Sequence, residues 1–276
     1  MEETKKKFSK RIWKIVYVVL VLACLVCICL MAGYLLIKGE QEDVQEEMKE
    51  EVEEVYVQEE AVPELAEQPI DFEGLWEINP EIYAWLKVPD TNINYPILQH
   101  EGENQSYYLE HDMYGEVNVA GSIYTEYYNN KDFQDSHTVI YGHNMKNGSM
   151  FHDVRYFAEK EYFDAHKELY VYLPDQILKY EIISCYEYDN RHLLGTFDFD
   201  NEEAYAEYLE DIMNPRSMYT MIRDGVKITT EDRLVTLSTC IANKPDKRRL
   251  LQAVLVEMMD AQYKGAVNET TDEKNN

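Results

Sequence analysis

The chain has 276 residues, enough for one good-sized domain with additional segments. Acidic residues outnumber Lys and Arg by 53 to 26, so the formal net charge is −27. This charge argues against a nucleic acid partner, because binding to phosphates needs a basic surface. The 23 tyrosines fit a β-rich domain, since aromatic side chains pack well on pleated sheets.

The first 37 residues predict a membrane anchor. Residues 1–14 are rich in Lys and Arg, and an uncharged apolar run follows from Ile15 to Ile37. About 20 such residues span a bilayer, whereas the apolar core of a cleavable signal peptide has only about 7 to 15. We therefore predict a cytoplasmic segment at 1–14 and a single uncleaved transmembrane helix at 15–37, with a cleaved signal peptide as the alternative. The positive-inside rule then places the rest of the chain outside the cell.

Two polar segments flank the remaining globular part. Residues 38–69 are dominated by Glu and have few aromatic residues. Like charges repel and no apolar stripe is sustained, so we interpret this segment as a solvated stalk without a site of its own. Residues 265–276 are also polar and predict a disordered tail.

Residues 70–264 predict a mostly β domain. Asp71 is placed to cap a short helix, and residues 82–86 resemble a second half-turn that leads into a strand. An amphipathic helix is predicted from Glu202 to Met213. Short runs typical of strands, separated by turns, lie at 92–98, 122–125, 137–141, 169–173, 178–184, 234–237 and 250–256. This spacing favours a barrel or sandwich over alternating strands and helices.

Two cysteines, Cys185 and Cys240, lie beyond the predicted anchor. A disulfide between them is one interpretation for an oxidising compartment. However, Cys185 sits within a strand-like run and should be buried, whereas Cys240 follows a predicted strand at the mouth of a hairpin. The return strand of that hairpin opens with Arg248 and Arg249. A thiol reacts as its thiolate and cationic neighbours favour that form, so we expect Cys240 to be a free, reactive thiol.

His143 is the candidate proton shuttle for this thiol. It follows Gly142 at the point where a predicted strand gives way to a loop, and the glycine would let the backbone approach another segment closely. A packing or surface role is the ordinary alternative for one of seven histidines. The histidines and carboxylates do not cluster at the spacing of metal ligands, so we predict no metal and no cofactor.

In combination, the segments Thr236-Leu-Ser-Thr-Cys240 and Tyr141-Gly-His143, with an arginine downstream, resemble the sortases. These are membrane-anchored cysteine transpeptidases of Gram-positive bacteria. The resemblance extends from Asp71 to Lys264 and is strongest to class B, through residues 141–151 and 92–99. It implies a closed sortase-type β-barrel of about eight strands, with short N-terminal helices and one helix inserted before the strand that carries the cysteine.

The resemblance also implies roles for individual residues. Cys240 would be the nucleophile and His143 the general acid. The family's arginine opens the last strand five residues before an Ala or Gly, which selects Arg248, at that distance from Ala253, with Arg249 as the alternative. The implied substrate groove is lined by Ser238, Tyr141, Thr239, Asn104 and Leu109.

The implied reaction is cleavage of a C-terminal sorting signal after Thr, through a thioester on Cys240. The signal would be of the Leu-Pro-x-Thr-Gly or Asn-Pro-x-Thr type, and the acyl group would pass to an amine of peptidoglycan or of a pilin. The implied partners are surface proteins or pilins, the peptidoglycan cross-bridge and the membrane.

Two other interpretations remain at this point. One is an inactive sortase-like binding module. The other is an L,D-transpeptidase, whose cysteine normally lies in a Ser-x-Gly-Cys-x-Arg setting. Here Thr239 precedes the cysteine, and Ala242 stands where that arginine would be.

Overall fold

The computed structural model describes residues 66–217 and 219–263, together with four isolated helical positions, Leu25, Leu30, Met31 and Gly33. The chain divides into two compact units, residues 1–51 and 52–276, and every described strand belongs to the second. Among the described residues, no helix is long and apolar enough to cross a membrane. Apart from those four positions and residues 66–69, the predicted basic segment, anchor, stalk and tail lie outside the described residues.

Eight strands of the second unit close into a barrel, as predicted. Around the barrel they follow the order β2-β3-β4-β5-β9-β10-β7-β6, and β6 pairs with β2 to complete the circle. The two other strands extend the sheet, β1 beside β10 and β8 beside β7. The strands are β1 Ala66–Gln68, β2 Ile82–Lys87, β3 Asn94–Leu98, β4 Ile123–Tyr124, β5 His137–Tyr141, β6 Glu168–Tyr172, β7 Gln176–Asp189, β8 Thr220–Ile222, β9 Leu234–Ile241 and β10 Lys244–Tyr263.

Two of the α-helices begin directly after a polar residue whose side chain caps them. Asp71 caps α1, its Oδ1 accepting from the amide of Gly74 at 3.0 Å. Asn201 caps α4 in the same way, through the amide of Ala204, and α4 has the predicted bounds. The α-helices are α1 Phe72–Ile78, α2 Lys160–Ala165, α3 Leu193–Thr196 and α4 Glu202–Met213, and 3₁₀ helices span Tyr107–Leu109 and His152–Ala158.

Two predicted secondary-structure assignments were wrong, and the paired strands begin before residue 70. Residues 82–86 are not a half-turn, because this segment pairs as a strand with β3 along its length and with β6 at its end. The strand β9 does not stop at Leu237, since its next three residues pair with β10. The structured domain also begins before residue 70, because Ala66–Gln68 pairs in parallel with the end of β10.

The wall formed by β5, β9 and β10 has two distinct faces, because side chains alternate along each strand. Its inner face contributes to the core of the barrel with Ile140, Val235, Leu237, Leu251 and Ala253. Its outer face is covered at one end by α4, in a second cluster that includes Val139, Leu234, Leu250, Tyr205 and Tyr208. At the other end of the outer face, β9 becomes exposed at Cys240.

Candidate active site

Cys240 lies at the exposed end of β9 and is a free thiol. In the register between β9 and β10 it stands directly opposite Arg248. Directly opposed residues of antiparallel strands lie on the same face of the sheet, so the thiol and this guanidinium share the outer face. Ser238, two residues earlier on β9, lies on that face as well and is 7% exposed.

The loop that carries His143 is bonded to the end of β9 on both sides of the histidine. The amide of Gly142 donates to the carbonyl of Ser238 at 3.3 Å. The side-chain amide of Asn144 donates to the carbonyl of Cys240 at 3.0 Å. The backbone of Gly142 also packs tightly, because a Cβ at this position would lie 2.4 Å from Cδ1 of Ile123. These contacts hold His143 beside the nucleophile's strand.

His143 is partly exposed, and its Nε2 lies 2.8 Å from the carbonyl oxygen of Leu109. A carbonyl only accepts hydrogen bonds, so Nε2 carries the hydrogen in this arrangement. The 3₁₀ helix Tyr107–Leu109 thereby helps to orient the imidazole ring. Leu109, predicted from the family resemblance, reaches this site through its backbone.

The two neighbouring arginines have different surroundings. Arg249 lies on the inner face, and its Nη2 donates to Glu187 at 3.3 Å. Arg248 is partly exposed, and its Nη1 donates to the carbonyls of Pro245 and Lys247, both at 3.0 Å. The structure therefore places one guanidinium on the outer face and one inside the wall, as strand alternation predicted.

Cys185 is fully buried within the barrel core. Burial raises the pKa of its thiol to about 12, although nearby Arg249 acts in the opposite direction. Cys185 pairs with Leu251, an inner-face residue of β10, whereas Cys240 lies on the outer face. The two thiols are free and stand on opposite faces of the wall, so the structure holds no disulfide between them.

A cluster beside the site was missed in the sequence. Tyr124 and Tyr141 stack with ring centroids 5.4 Å apart. Burial raises the pKa of Tyr124, and the charges of Glu126 and Cys240 act in the same direction, which places this phenol near both groups. The buried Glu126 carboxylate accepts a hydrogen bond from Nε2 of His192, whose Nδ1 accepts from the amide of Gly195. No sequence motif marks Glu126 or His192, because their meeting depends on two distant loops.

Comparison with known proteins identifies the family. A family model described as the sortase domain matches residues 86–256, more than half of the chain. The chain belongs to the sortase family. Sortase B of Listeria monocytogenes is 35% identical over 188 residues, which cover 67% of this chain and 74% of that relative.

Solved structures of sortases show the same fold. This sortase matches sortase B of Clostridium perfringens with a TM-score of 0.61 and 32% identity, over 68% of this chain and 100% of that one. For sortase B of Bacillus anthracis the TM-score is 0.65 and the identity 32%, over 78% and 97% of the two chains. The protein is therefore a class B sortase and a cysteine transpeptidase, and not an L,D-transpeptidase.

Within this sortase, the remaining predicted groove residues occupy different places. Tyr141 pairs with Ser238 across β5 and β9 and shares the outer face with Cys240. Asn104 is exposed, and its side chain accepts from the amide of Ser106 at 3.2 Å in the turn before the 3₁₀ helix. Thr239 is 3% exposed and opposes Arg249, so its side chain lies on the inner face, away from the thiol. Among the described residues, no group of three or more metal-binding side chains could hold a metal ion.

Proposed function

We propose that this sortase is anchored in the cell membrane by its N-terminal segment and joins secreted proteins to an amine of the cell wall or of a pilin. The donor is a protein with a C-terminal sorting signal of the Leu-Pro-x-Thr-Gly or Asn-Pro-x-Thr type. The observation that carries the proposal is that Cys240, Arg248 and the loop of His143 lie together at the exposed end of β9. Cys240 stands opposite Arg248, and the His143 loop is bonded to the carbonyl of Cys240.

In the first half of the reaction, Cys240 is the nucleophile. Its thiolate attacks the backbone carbonyl carbon of the Thr residue in the signal, and a tetrahedral oxyanion forms. Arg248 is on the same face and uses only Nη1 in its contacts with the turn carbonyls, so other N–H groups of the guanidinium can donate to this oxyanion. Collapse of the intermediate leaves a thioester and releases the amine of the next residue.

The proton of the Cys240 thiol passes to His143, and the resulting imidazolium supplies the proton for that departure; the neutral ring later accepts one from the incoming amine. Its Nε2 hydrogen is held by the carbonyl of Leu109 before substrate arrives. Catalytic hydrogen bonds often form only in the substrate complex, so the imidazole must turn from Leu109 toward the leaving nitrogen. Tyr141 and Ser238 pair across β5 and β9 on the same outer face, and we assign them to the floor of the proposed substrate groove.

Mass spectrometry of the full chain in detergent micelles tests this proposal. The protein is incubated with peptides that cover Leu-Pro-x-Thr-Gly, Asn-Pro-x-Thr and related signals, beside the Cys240→Ala variant. We expect a covalent acyl adduct on Cys240 with one class of peptide and none on the variant. A thiol probe that labels Cys240 rapidly while no peptide forms an adduct would overturn the proposed substrate class.

The acceptor and the location are tested separately. Adding an amine such as triglycine should convert the acyl adduct into a transpeptidation product and raise turnover. Hydrolysis alone, with every amine offered, would contradict the proposed acceptor class. Protease shaving of intact cells should remove the 70–264 region and leave the N-terminal segment in the membrane fraction, and protection of that region would contradict an extracellular location.

A further inference from the structure

The 3₁₀ helix that orients His143 is held in place by a network of hydrogen bonds. Leu109 is the last residue of this helix, Tyr107–Leu109, and its carbonyl oxygen accepts from Nε2 of His143 at 2.8 Å. In a neutral imidazole only one nitrogen carries a hydrogen, so this contact leaves Nδ1 with a lone pair. Nδ1 is therefore the nitrogen that is free to accept the proton of the Cys240 thiol. The position of the Leu109 carbonyl decides whether the ring is kept in this state.

Tyr108, the middle residue of the helix, is the centre of the network and is 1% exposed. Its hydroxyl donates to Oε2 of Glu81 and accepts from Nδ2 of Asn79 at 3.0 Å. Its carbonyl accepts from the amide of Ser122 at 2.8 Å. Glu81 directly precedes β2 and Ser122 directly precedes β4. Tyr108 therefore ties the helix to two strands of the barrel.

The carboxylate of Glu81 is itself fixed by three donors. In addition to the hydroxyl of Tyr108, it accepts from Nδ1 of His100 at 3.1 Å and from the amide of Glu101 at 2.9 Å. Burial raises the pKa of this carboxyl, but the hydrogen bonds outweigh that effect, so the pKa is lowered and Glu81 is charged at neutral pH. A hydrogen bond to a charged acceptor is stronger than one between neutral groups, so the contact with Tyr108 is a firm anchor.

Gly121 restricts the Leu109 carbonyl further. Its φ is +56°, in the left-handed region that favours glycine. A Cβ at this position would lie 2.5 Å from the carbonyl oxygens of both Tyr108 and Leu109. The backbone of Gly121 therefore approaches these carbonyls closely. Together with the anchor at Tyr108, this approach confines the oxygen that accepts from His143.

We propose that Tyr108 and Glu81 are positioning residues for the proton transfer to His143. They act through the Leu109 carbonyl, which keeps a hydrogen on Nε2 and leaves Nδ1 to accept the proton of the thiol. The electron pair of the S–H bond then stays on the sulfur of Cys240, which becomes the thiolate, and the ring becomes imidazolium. The inference rests on the proposed role of His143 as the proton shuttle.

Nitrogen NMR of the full chain with ¹⁵N-labelled histidine, in detergent micelles, measures the state of the ring without a substrate. The Cys240→Ala background keeps the thiol from exchanging protons with the ring, and a further His143→Gln substitution assigns the resonances. At about pH 9 an ordinary imidazole is neutral, and we expect the Nε2–H form of His143 to dominate. Tyr108→Phe should lower the ratio of the Nε2–H to the Nδ1–H form about threefold, as expected when one hydrogen bond is weakened. An unchanged ratio would overturn positioning through Leu109.

Tyr205→Phe, in the same background, is the matched control. Tyr205 is also 1% exposed, and its hydroxyl lies 2.8 Å and 3.0 Å from the carbonyl oxygens of Ser136 and Asp232. The same atom is thus removed from a buried tyrosine of α4. Both variants should lower the free energy of unfolding by similar amounts, but only Tyr108→Phe should change the ratio at His143. An equal change of the ratio in both would show a general loosening of the domain and would overturn the proposal.

Acylation kinetics test the consequence for the reaction, with Cys240 present. Tyr108→Phe removes the donor of the central contact, and Glu81→Gln replaces one of its acceptor oxygens with a donor. Each variant should lower the maximal rate of thioester formation about three- to tenfold and keep the half-saturating peptide concentration within about twofold. A change confined to the half-saturating concentration would show that the helix acts on peptide binding and would overturn the proposal.

The double variant shows whether the two side chains act as a unit. Because they act through one contact, Tyr108→Phe with Glu81→Gln should be little slower than the slower single variant. Effects that multiply would contradict the shared contact. Failure of every peptide to acylate Cys240 would count only against the proposed function, because the tautomer ratio of His143 is measured without a peptide.

Discussion

The wall of the barrel carries two pairs of cysteine and arginine, one on each face. Cys185 and Arg249 are enclosed on the inner face, whereas Cys240 and Arg248 lie together on the outer face. Both thiols have a guanidinium nearby, but burial raises the pKa of Cys185 to about 12 in spite of it. The comparison teaches that a nearby cation does not suffice to make a reactive thiol. Exposure to water and access for a substrate decide which cysteine can act.

Replacing each cysteine by alanine should give the largest difference in transfer rate between the two faces. Cys240→Ala should lower transfer by at least about 10⁴-fold, because no other nucleophile replaces the thiol. Cys185→Ala should keep the rate within about twofold and cost about 1 kcal/mol of the free energy of unfolding, since it leaves a small void in the core. Peptide transfer assays and denaturant unfolding measure the two effects. Similar losses of transfer in both variants would contradict the assignment.

The two arginines should also differ, with Arg248 affecting transfer and Arg249 affecting stability. Arg248→Ala should lower transfer by about 10² to 10³-fold with little change in stability, as expected for loss of an oxyanion donor. Arg249→Ala removes a partner of Glu187, whose side chain is 13% exposed. It should lower the free energy of unfolding by about 2 kcal/mol, less than for a fully isolated pair because Lys244 also contacts Glu187.

Arg191→Ala is the matched control for this comparison. Its guanidinium is exposed and pairs with Asp189, so neither transfer nor stability should change appreciably. The reverse pattern, with transfer depending on Arg249 and stability on Arg248, would show that the register between β9 and β10 is shifted by one residue in solution.

The smallest predicted effect is on stability at alkaline pH. The pKa of Cys185 rises from an ordinary value near 9 to about 12 in the folded state. Between these values the unfolded chain has lost the proton and the folded chain has kept it, so the free energy of unfolding falls as pH rises. From pH 9 to 10, the wild type should lose about 1 kcal/mol more than Cys185→Ala. Equal slopes for the two proteins would show that Cys185 is solvated.

Much of the fold could be predicted from local sequence patterns. The bounds of α4 followed from its apolar face and its flanking polar residues, and His137–Tyr141 read as a strand because of its β-branched residues. The end of β9 could not be predicted in this way. Ser238 and Cys240 have no strong strand preference, and the segment is extended here because three residues of β10 pair with it.

The candidate site was predicted in part for a similar reason. The motifs around Cys240 and His143 are local in sequence and were visible before the fold. Alternation along a strand showed that only one of Arg248 and Arg249 shares the outer face, but the choice depends on an irregular register at residues 245–247. The hydrogen bond between Glu126 and His192 joins residues 66 positions apart in sequence, so no local pattern predicts it.

The length of β10 has a consequence for how the protein becomes active. This strand, Lys244–Tyr263, pairs with β9 and β7 within the barrel and with β1 beside it. Its contacts with β7 and β1 join segments far apart in sequence and form slowly, since the intervening chain must first be ordered. A chain emerging from its N-terminus cannot set Arg248 opposite Cys240 until this final strand is available. Newly made molecules should therefore have no transfer activity until this strand has been synthesised and has paired with β9.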